Sequence, residues 1–252
     1  MYNIFLVLKL KYSIMKKIFF LFTVLCFSVI VNAQKQFVVD PNAEIRSLNG
    51  SFNSIIVSGG IDLYISQSDK EELAVSASEE KFIAGIKTIV QNNTLKIYYD
   101  GDKGWSSRNK HMRAYVSFKE LEKLEASGAS DIQVAGEMTT ASLLLKLSGA
   151  SDFKGKVIVT SLIMDLSGAS DVTISGSASI VVIESSGASD VKGYDLVTDM
   201  CTAKASGASD VNITVNKELN ARASGSSDIY YKGSAVIKDM QSSGASNISR
   251  KN

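Results

Sequence analysis

Met164-Asp165-Leu166-Ser167-Gly168-Ala169-Ser170-Asp171-Val172-Thr173-Ile174-Ser175-Gly176 decides the fold, because close variants of it return along the chain. Its centre, Ser-Gly-Ala-Ser-Asp, begins at Ser127, Ser148, Ser167, Ser186 and Ser206. Ser-Gly-Ser-Ser-Asp follows at 224–228 and Ser-Gly-Ala-Ser-Asn at 243–247. The intervals are 21, 19, 19, 20, 18 and 19 residues. A self-similar period of this length is that of one coil of a parallel β-helix, in which short strands wind around a common axis.

The flanks agree. Three residues before each motif stand Leu124, Leu145, Met164, Ile183, Ala203, Ala221 and Met240, all apolar. Immediately before it stand Ala126, Leu147, Leu166, Ser185, Ala205, Ala223 and Ser242, apolar or small. Between those columns lie Glu125, Lys146, Asp165, Glu184, Lys204, Arg222 and Gln241. Alternation at period two, kept in every coil, predicts a strand with a buried and a wet face. The outward column mixes signs, so neighbouring coils are expected to pair charges across it. After each motif a second apolar start appears (Ile132, Phe153, Val172, Val191, Val211, Ile229), often with a glycine beyond it at Gly136, Gly155, Gly176, Gly193 or Gly233. Each coil therefore reads as strand, glycine turn, strand and corner. Seven corners at about 4.8 Å would span roughly 30 Å.

The motif letters suit a corner. Gly128, Gly149, Gly168, Gly187, Gly207, Gly225 and Gly244 supply a residue free to take positive φ. Ser and Asp side chains can hold turn amides, and alanine is small enough to tuck beneath the corner. A competing reading makes Asp131, Asp152, Asp171, Asp190, Asp210 and Asp228 a ladder for cations or a repetitive glycan. Calcium repeats bring more oxygen ligands and a denser acidic pattern, which favours the structural corner. No cofactor is expected.

Residues 34–126 lack the perfect repeat but read as strands at Phe52–Val57, Ile61–Ile65, Leu73–Ala77, Thr94–Tyr99 and Met112–Phe118. Ser58-Gly59-Gly60-Ile61-Asp62 looks like a degenerate corner, and Glu79–Ile89 like a short helix with Phe82, Ile83 and Ile86 on one face. The polar loop 101–111 holds Trp105 and His111, with Trp105 expected to fold onto the sheet rather than serve as a glycan platform. This half should cap one end of the solenoid, while the polar Asn247–Asn252 should cover the other.

At the chain's start, Lys16 and Lys17 precede an apolar run from Ile18 to Val31 and a Val-x-Ala ending at Ala33. That is the pattern of a secretory signal cleaved after Ala33, with Met15 as the working start and residues 1–33 removed. A retained anchor is the alternative, but the run is shorter than the roughly 20 residues that span a bilayer, so no stable membrane insertion is expected after cleavage. Cys26 lies inside this run after Leu25, not after the small residue a lipid-attachment site requires. Cys201 then remains alone, and a lone thiol makes no internal disulfide. Losing Lys9, Lys11, Lys16 and Lys17 leaves 23 bases against 26 acids, a net charge of −3, with no basic run and no nucleic-acid partner implied. A single proline, Pro41, argues against a linker between domains, so 34–252 is expected to be one β-helical domain with 127–247 its regular coils.

Phe52-Asn53-Ser54-Ile55-Ile56-Val57-Ser58-Gly59, then Asn93-Thr94-Leu95-Lys96-Ile97, then the Ser-Gly-Ala-Ser-Asp series together resemble the putative auto-transporter adhesin, head GIN domain family of Bacteroidetes, over about residues 45–250. The segment Val116-Ser117-Phe118-Lys119-Glu120-Leu121 departs from it, lacking the family's usual proline before the leucine. The resemblance implies a single-stranded parallel β-helix, export to the envelope and no catalytic residues. From the residues alone the fold is all-β, a parallel β-helix with the commoner right-handed coil as the expectation. Its function is then a non-catalytic surface protein binding a glycan or protein along an extended face. The alternative is a polysaccharide-processing enzyme, which needs a local acid, base or metal cluster that breaks the repeat. The coils are too alike to mark such a place, and Cys201 falls in a buried column with no base beside it.

Overall fold

The computed structural model describes Asp40, residues 42–101 and residues 110–252. The first part of the described chain forms β1 (Glu44–Arg46), β2 (Ser54–Ser58), β3 (Ile61–Gln67), β4 (Glu72–Ser76), α1 (Glu80–Ile83), β5 (Ile86–Gln91), β6 (Thr94–Tyr99) and β7 (Met112–Phe118). The repeats form β8 (Lys123–Ser127), β9 (Ile132–Leu147), β10 (Phe153–Leu166), β11 (Val172–Ser185), β12 (Val191–Ala205), β13 (Asp210–Gly225), β14 (Asp228–Lys232), β15 (Val236–Gly244) and β16 (Asn247–Arg250). All sixteen strands belong to one sheet, and from β8 onward every pairing is parallel. This is a parallel β-solenoid, as the repeat requires.

Register follows the motif. Met164 lies beside Ile183, Asp165 beside Glu184 and Leu166 beside Ser185. The next pairing puts Ile183 beside Ala203 and Glu184 beside Lys204. Side chains alternate in and out, so Leu124, Leu145, Met164, Ile183, Ala203 and Ala221 are wholly buried in one axial stack. Each large member contributes about 1.5–3 kcal/mol through its burial. Its last described member, Met240, is 41% exposed. The outward column pairs charges as expected, Lys146 with Asp165 at 2.7 Å and Lys204 with Glu184 at 2.8 Å.

The N-terminal strands do not stack in chain order. β2 pairs with β8 on one side and β6 on the other, and β3 lies between β9 and β7. The chain thus lays down the coil 54–67, leaves it, builds a further coil outside it, and returns at β8 to continue the other way. Antiparallel β4 covers β7 and is flanked by β1, while antiparallel β5 covers β6. Those reversed strands are the cap. Ser58-Gly59-Gly60 is a true corner, with Ser58 in register with Ser127 and Gly59 at φ 85°.

Four expectations need correction. The helix read over Glu79–Ile89 is only α1, because Gly85 interrupts it and Ile86–Gln91 alternates buried and outward residues as a strand. The glycine turn holds only at Gly233, between β14 and β15, whereas Gly136, Gly155, Gly176 and Gly193 lie inside the continuous strands β9 to β12; of the five, Gly136, Gly176 and Gly233 take positive φ. Alanine does not tuck beneath the corner: Ala129, Ala150, Ala169, Ala188 and Ala208 are exposed, and the following serine is the inward residue. Asn247–Arg250 is no cover but a strand, β16, paired among the described residues with β14. Residues 1–33, Cys26 and Trp105 lie outside the described residues.

Candidate functional site

The corner is held by two hydrogen-bond ladders running in opposite directions along the axis. The second serine of each motif, from Ser130 through Ser227, is fully buried. The hydroxyls of Ser151, Ser189 and Ser209 accept a backbone N–H of the preceding coil: Ser130 N–H donates to Ser151 Oγ at 3.3 Å, Ser170 N–H to Ser189 Oγ at 3.2 Å, and Ser189 N–H to Ser209 Oγ at 3.4 Å. The aspartates run the other way. Asp152 N–H donates to Asp131 Oδ1 at 3.3 Å, Asp171 N–H to Asp152 Oδ1 at 3.1 Å, Asp210 N–H to Asp190 Oδ1 at 3.2 Å and Asp228 N–H to Asp210 Oδ1 at 3.3 Å. Asp62 joins the series by accepting from Asp131, and Asn247 N–H closes it on Asp228 Oδ1 at 2.9 Å. These carboxylates are therefore turn acceptors. Among the described residues, no three His, Cys, Asp or Glu side chains converge on a point that would hold a metal ion.

Stacking like charges has an electrostatic cost. Loss of hydration, then the neighbouring aspartate, pushes Asp62 and Asp210 above the ordinary carboxylate range. Asp131 is raised in the same way, mainly by loss of hydration. Lys192 reaches back to Asp171 at 2.7 Å and answers part of this charge. Cys201 is buried, and that burial pushes its thiol up to about 12, so no thiolate nucleophile is on offer near neutral pH.

Two residues beyond each aspartate is a second outward column that repeat reading passes over. Tyr115, Tyr64, Gln133, Lys154, Thr173 and Lys192 follow one another in register on β7, β3, β9, β10, β11 and β12. Tyr64 and Tyr115 stack with ring centroids 5.3 Å apart and planes 19° from parallel. Together with Asp62, Asp131, Asp152 and Asp171, the members from Tyr64 to Lys192 line a groove of about 310 Å³. It crosses five successive coils and offers alternating acceptors and donors beside an aromatic platform.

Two other surfaces stand out. A groove of about 540 Å³ on the cap is lined by Ile45, Leu48, Leu73, Tyr115 and Val116 among others. On the strand before the corner, Ile163 neighbours Leu144 and Val182, and Ile180 neighbours Met200, forming an outward apolar strip. Ile163, Ile180 and Met200 are each about 40% exposed. The charged column named from sequence runs beside this strip with many of its members already paired, so it offers less free charge than its composition implies. Among the described residues, no helix is long and apolar enough to cross a membrane.

Solved structures share the architecture. A protein from Bacteroides fragilis described as a putative adhesin is 24% identical, with a TM-score of 0.74, covering 84% of this chain and 98% of its own. A protein from Parabacteroides distasonis described as a putative lipid binding protein is 21% identical, TM-score 0.61, with 84% and 98% covered. A second from that organism, described as a putative adhesin, is 19% identical, TM-score 0.63, with 83% and 96% covered. No curated protein matches this chain. The family model for "putative auto-transporter adhesin, head GIN domain" matches residues 51–235, and the chain belongs to that family.

Proposed function

We propose that this protein is an exported, non-catalytic, adhesin-like surface protein that binds an extended glycan in the groove beside the aspartate ladder. The groove itself carries the reading: Tyr64, backed by its stack on Tyr115, with Gln133, Lys154, Thr173 and Lys192 at rung spacing matches the repeated hydroxyls and flat sugar faces of a polysaccharide. The family's description and those of its structural neighbours support adhesion over catalysis. Export rests on the leader pattern of residues 15–33, which N-terminal sequencing of the mature protein tests. For the groove the measurement is a glycan array followed by titration calorimetry. Tyr64→Ala and Gln133→Ala should each weaken the bound glycan about tenfold, while Glu184→Ala outside the groove should not. Binding that ignores both groove substitutions, or no glycan bound at all, would reject this assignment.

A second reading, a protein partner on the apolar strip, is supported by Ile163, Ile180 and Met200 lying together and exposed on one face. Ile163→Lys would then abolish binding that Tyr64→Ala leaves intact.

A further inference from the structure

The outward column of the groove runs on past the groove. Lys192 lies beside Asn212 on β13, and Asn212 beside Tyr230 on β14. Counting through Gln133, Lys154, Thr173, Lys192 and Asn212, Tyr230 stands six rungs from Tyr64, roughly 29 Å away at about 4.8 Å per rung. The residues between the two rings are exposed or half-buried, and each carries a hydrogen-bonding side chain.

Both rings are backed from outside this run. Tyr64 stacks on Tyr115 of β7, on the side of β3 away from β9, and the 5.3 Å between centroids is close to one rung. Tyr230 has the Lys251 ammonium over its ring, 3.9 Å from the centroid. Lys251 N–H donates to Tyr231 O at 2.8 Å, which places this lysine on the side of β14 away from β13. The Tyr230 phenol donates to Asp228 Oδ2 at 2.7 Å and fixes the ring further. With its outer face taken, each ring turns the other face along the column towards its counterpart. Such a face stacks on a sugar ring, and the polar rungs between meet hydroxyls. The matching chain is straight, with about one sugar per rung. A β-1,4-linked pyranose chain is such a ribbon, whereas an α-1,4-linked chain coils. Asp62, Asp131, Asp152 and Asp171 outnumber Lys154 and Lys192 along the groove, and Lys192 is already paired with Asp171, so an acidic polymer is repelled.

We propose that the binding site extends beyond the groove to Tyr230, its second stacking residue, and takes a neutral β-1,4-linked glycan segment lying along the solenoid axis. At one sugar per rung the segment from Tyr64 to Tyr230 is about six sugars long. This rests on the glycan reading above and adds to it the class of chain, its length and direction, and two residues outside the groove, Asn212 and Tyr230.

The test is titration calorimetry of the purified protein with two length series, β-1,4-linked glucose and β-1,4-linked N-acetylglucosamine, from disaccharide to octasaccharide. In one of them affinity should rise with length and level off near the hexasaccharide. Tyr230→Ala should weaken the hexasaccharide about tenfold and leave the trisaccharide unchanged, whereas Tyr64→Ala should weaken both. Tyr230→Phe keeps the ring and loses only the bond to Asp228, so it should bind the hexasaccharide like wild type, which separates stacking from a folding defect. Affinity that ignores length, or a Tyr230→Ala loss no larger for the hexasaccharide than for the trisaccharide, would overturn this inference and leave the glycan reading standing. So would silence of both series beside an acidic or α-linked glycan that Tyr64→Ala weakens. No glycan bound at all, or binding indifferent to Tyr64→Ala at every length, would overturn both.

Discussion

An interior corner and the last corner share a motif but answer to different neighbours. Around Gly187 every letter is constrained from both sides: Ala188 N–H donates to Gly168 O at 2.7 Å, and Ala208 N–H donates to Gly187 O at 2.8 Å. At the last corner Ala245 N–H donates to Gly225 O at 2.8 Å, and no further coil follows within β15 and β16. Sequence relaxes at this last described corner. The aspartate becomes Asn247, and the inward column reaches exposed Met240 and Ser242. The repeat is thus a record of stacking, kept most strictly where a described coil lies on both sides.

The sharpest way to break this comparison is Gly187→Ala against Gly244→Ala. Both glycines hold positive φ, 81° and 75°, so alanine meets similar backbone strain of about 1–2 kcal/mol at each. In the interior the new Cβ would also lie 2.4 Å from Gly168 O, a rigid backbone atom fixed between two coils. At Gly244 the approach to Gly225 O is 2.8 Å, so a smaller displacement relieves it. Chemical denaturation should show a loss of more than about 3 kcal/mol for Gly187→Ala and about half that for Gly244→Ala. Equal losses would mean that φ alone, and not stacking, selects glycine.

A smaller difference is expected at the second serine. Ser189→Ala leaves Ser170 N–H buried without its acceptor, costing about 1–3 kcal/mol. Ser246 makes its bonds to Ser243 and Ala223 where it is only half-buried, so water replaces them. Ser246→Ala should therefore cost less than about 1 kcal/mol by the same denaturation measurement. A Ser189→Ala loss no larger than that of Ser246→Ala would remove the buried ladder as the reason for this serine.

Legibility in the sequence tracked the same division. The coils from Ser127 onward were readable because register there equals chain order, so Glu125, Lys146, Asp165, Glu184, Lys204, Arg222 and Gln241 align by counting alone. The N-terminal stacking was not, because β2 sits between β6 and β8 and no local signal says that the chain doubles back. Phe82, Ile83 and Ile86 fit a helical face as well as a strand start, and Gly85 decided between them. Alanine is exposed and serine buried because the inward place goes to the side chain with an amide donor to meet, not to the smaller one. The groove column was hidden by its chemistry: Tyr64, Gln133, Lys154, Thr173 and Lys192 share a register but no residue type.

The smallest effect carries the last coil's solution into the interior. Asp210 Oδ1 accepts Asp228 N–H, and an amide oxygen can do the same, so Asp210→Asn keeps the ladder while removing a charge. Loss of hydration and then Asp190 hold this carboxyl above 3.8 in the folded chain. An acid raised on folding binds its proton more tightly in the folded state, so it destabilises the fold at neutral pH. That destabilisation disappears as pH falls through the raised value towards 3.8. Wild-type melting temperature should therefore gain a contribution on mild acidification from Asp62, Asp131 and Asp210, opposite in sign to that of the Arg222-bonded Asp239. Asp210→Asn should melt on the order of 1 °C higher at neutral pH and show a flatter profile between neutrality and pH 4. A lower melting temperature at neutral pH would show that the charge on this rung, and not only its oxygen, holds the next coil in place.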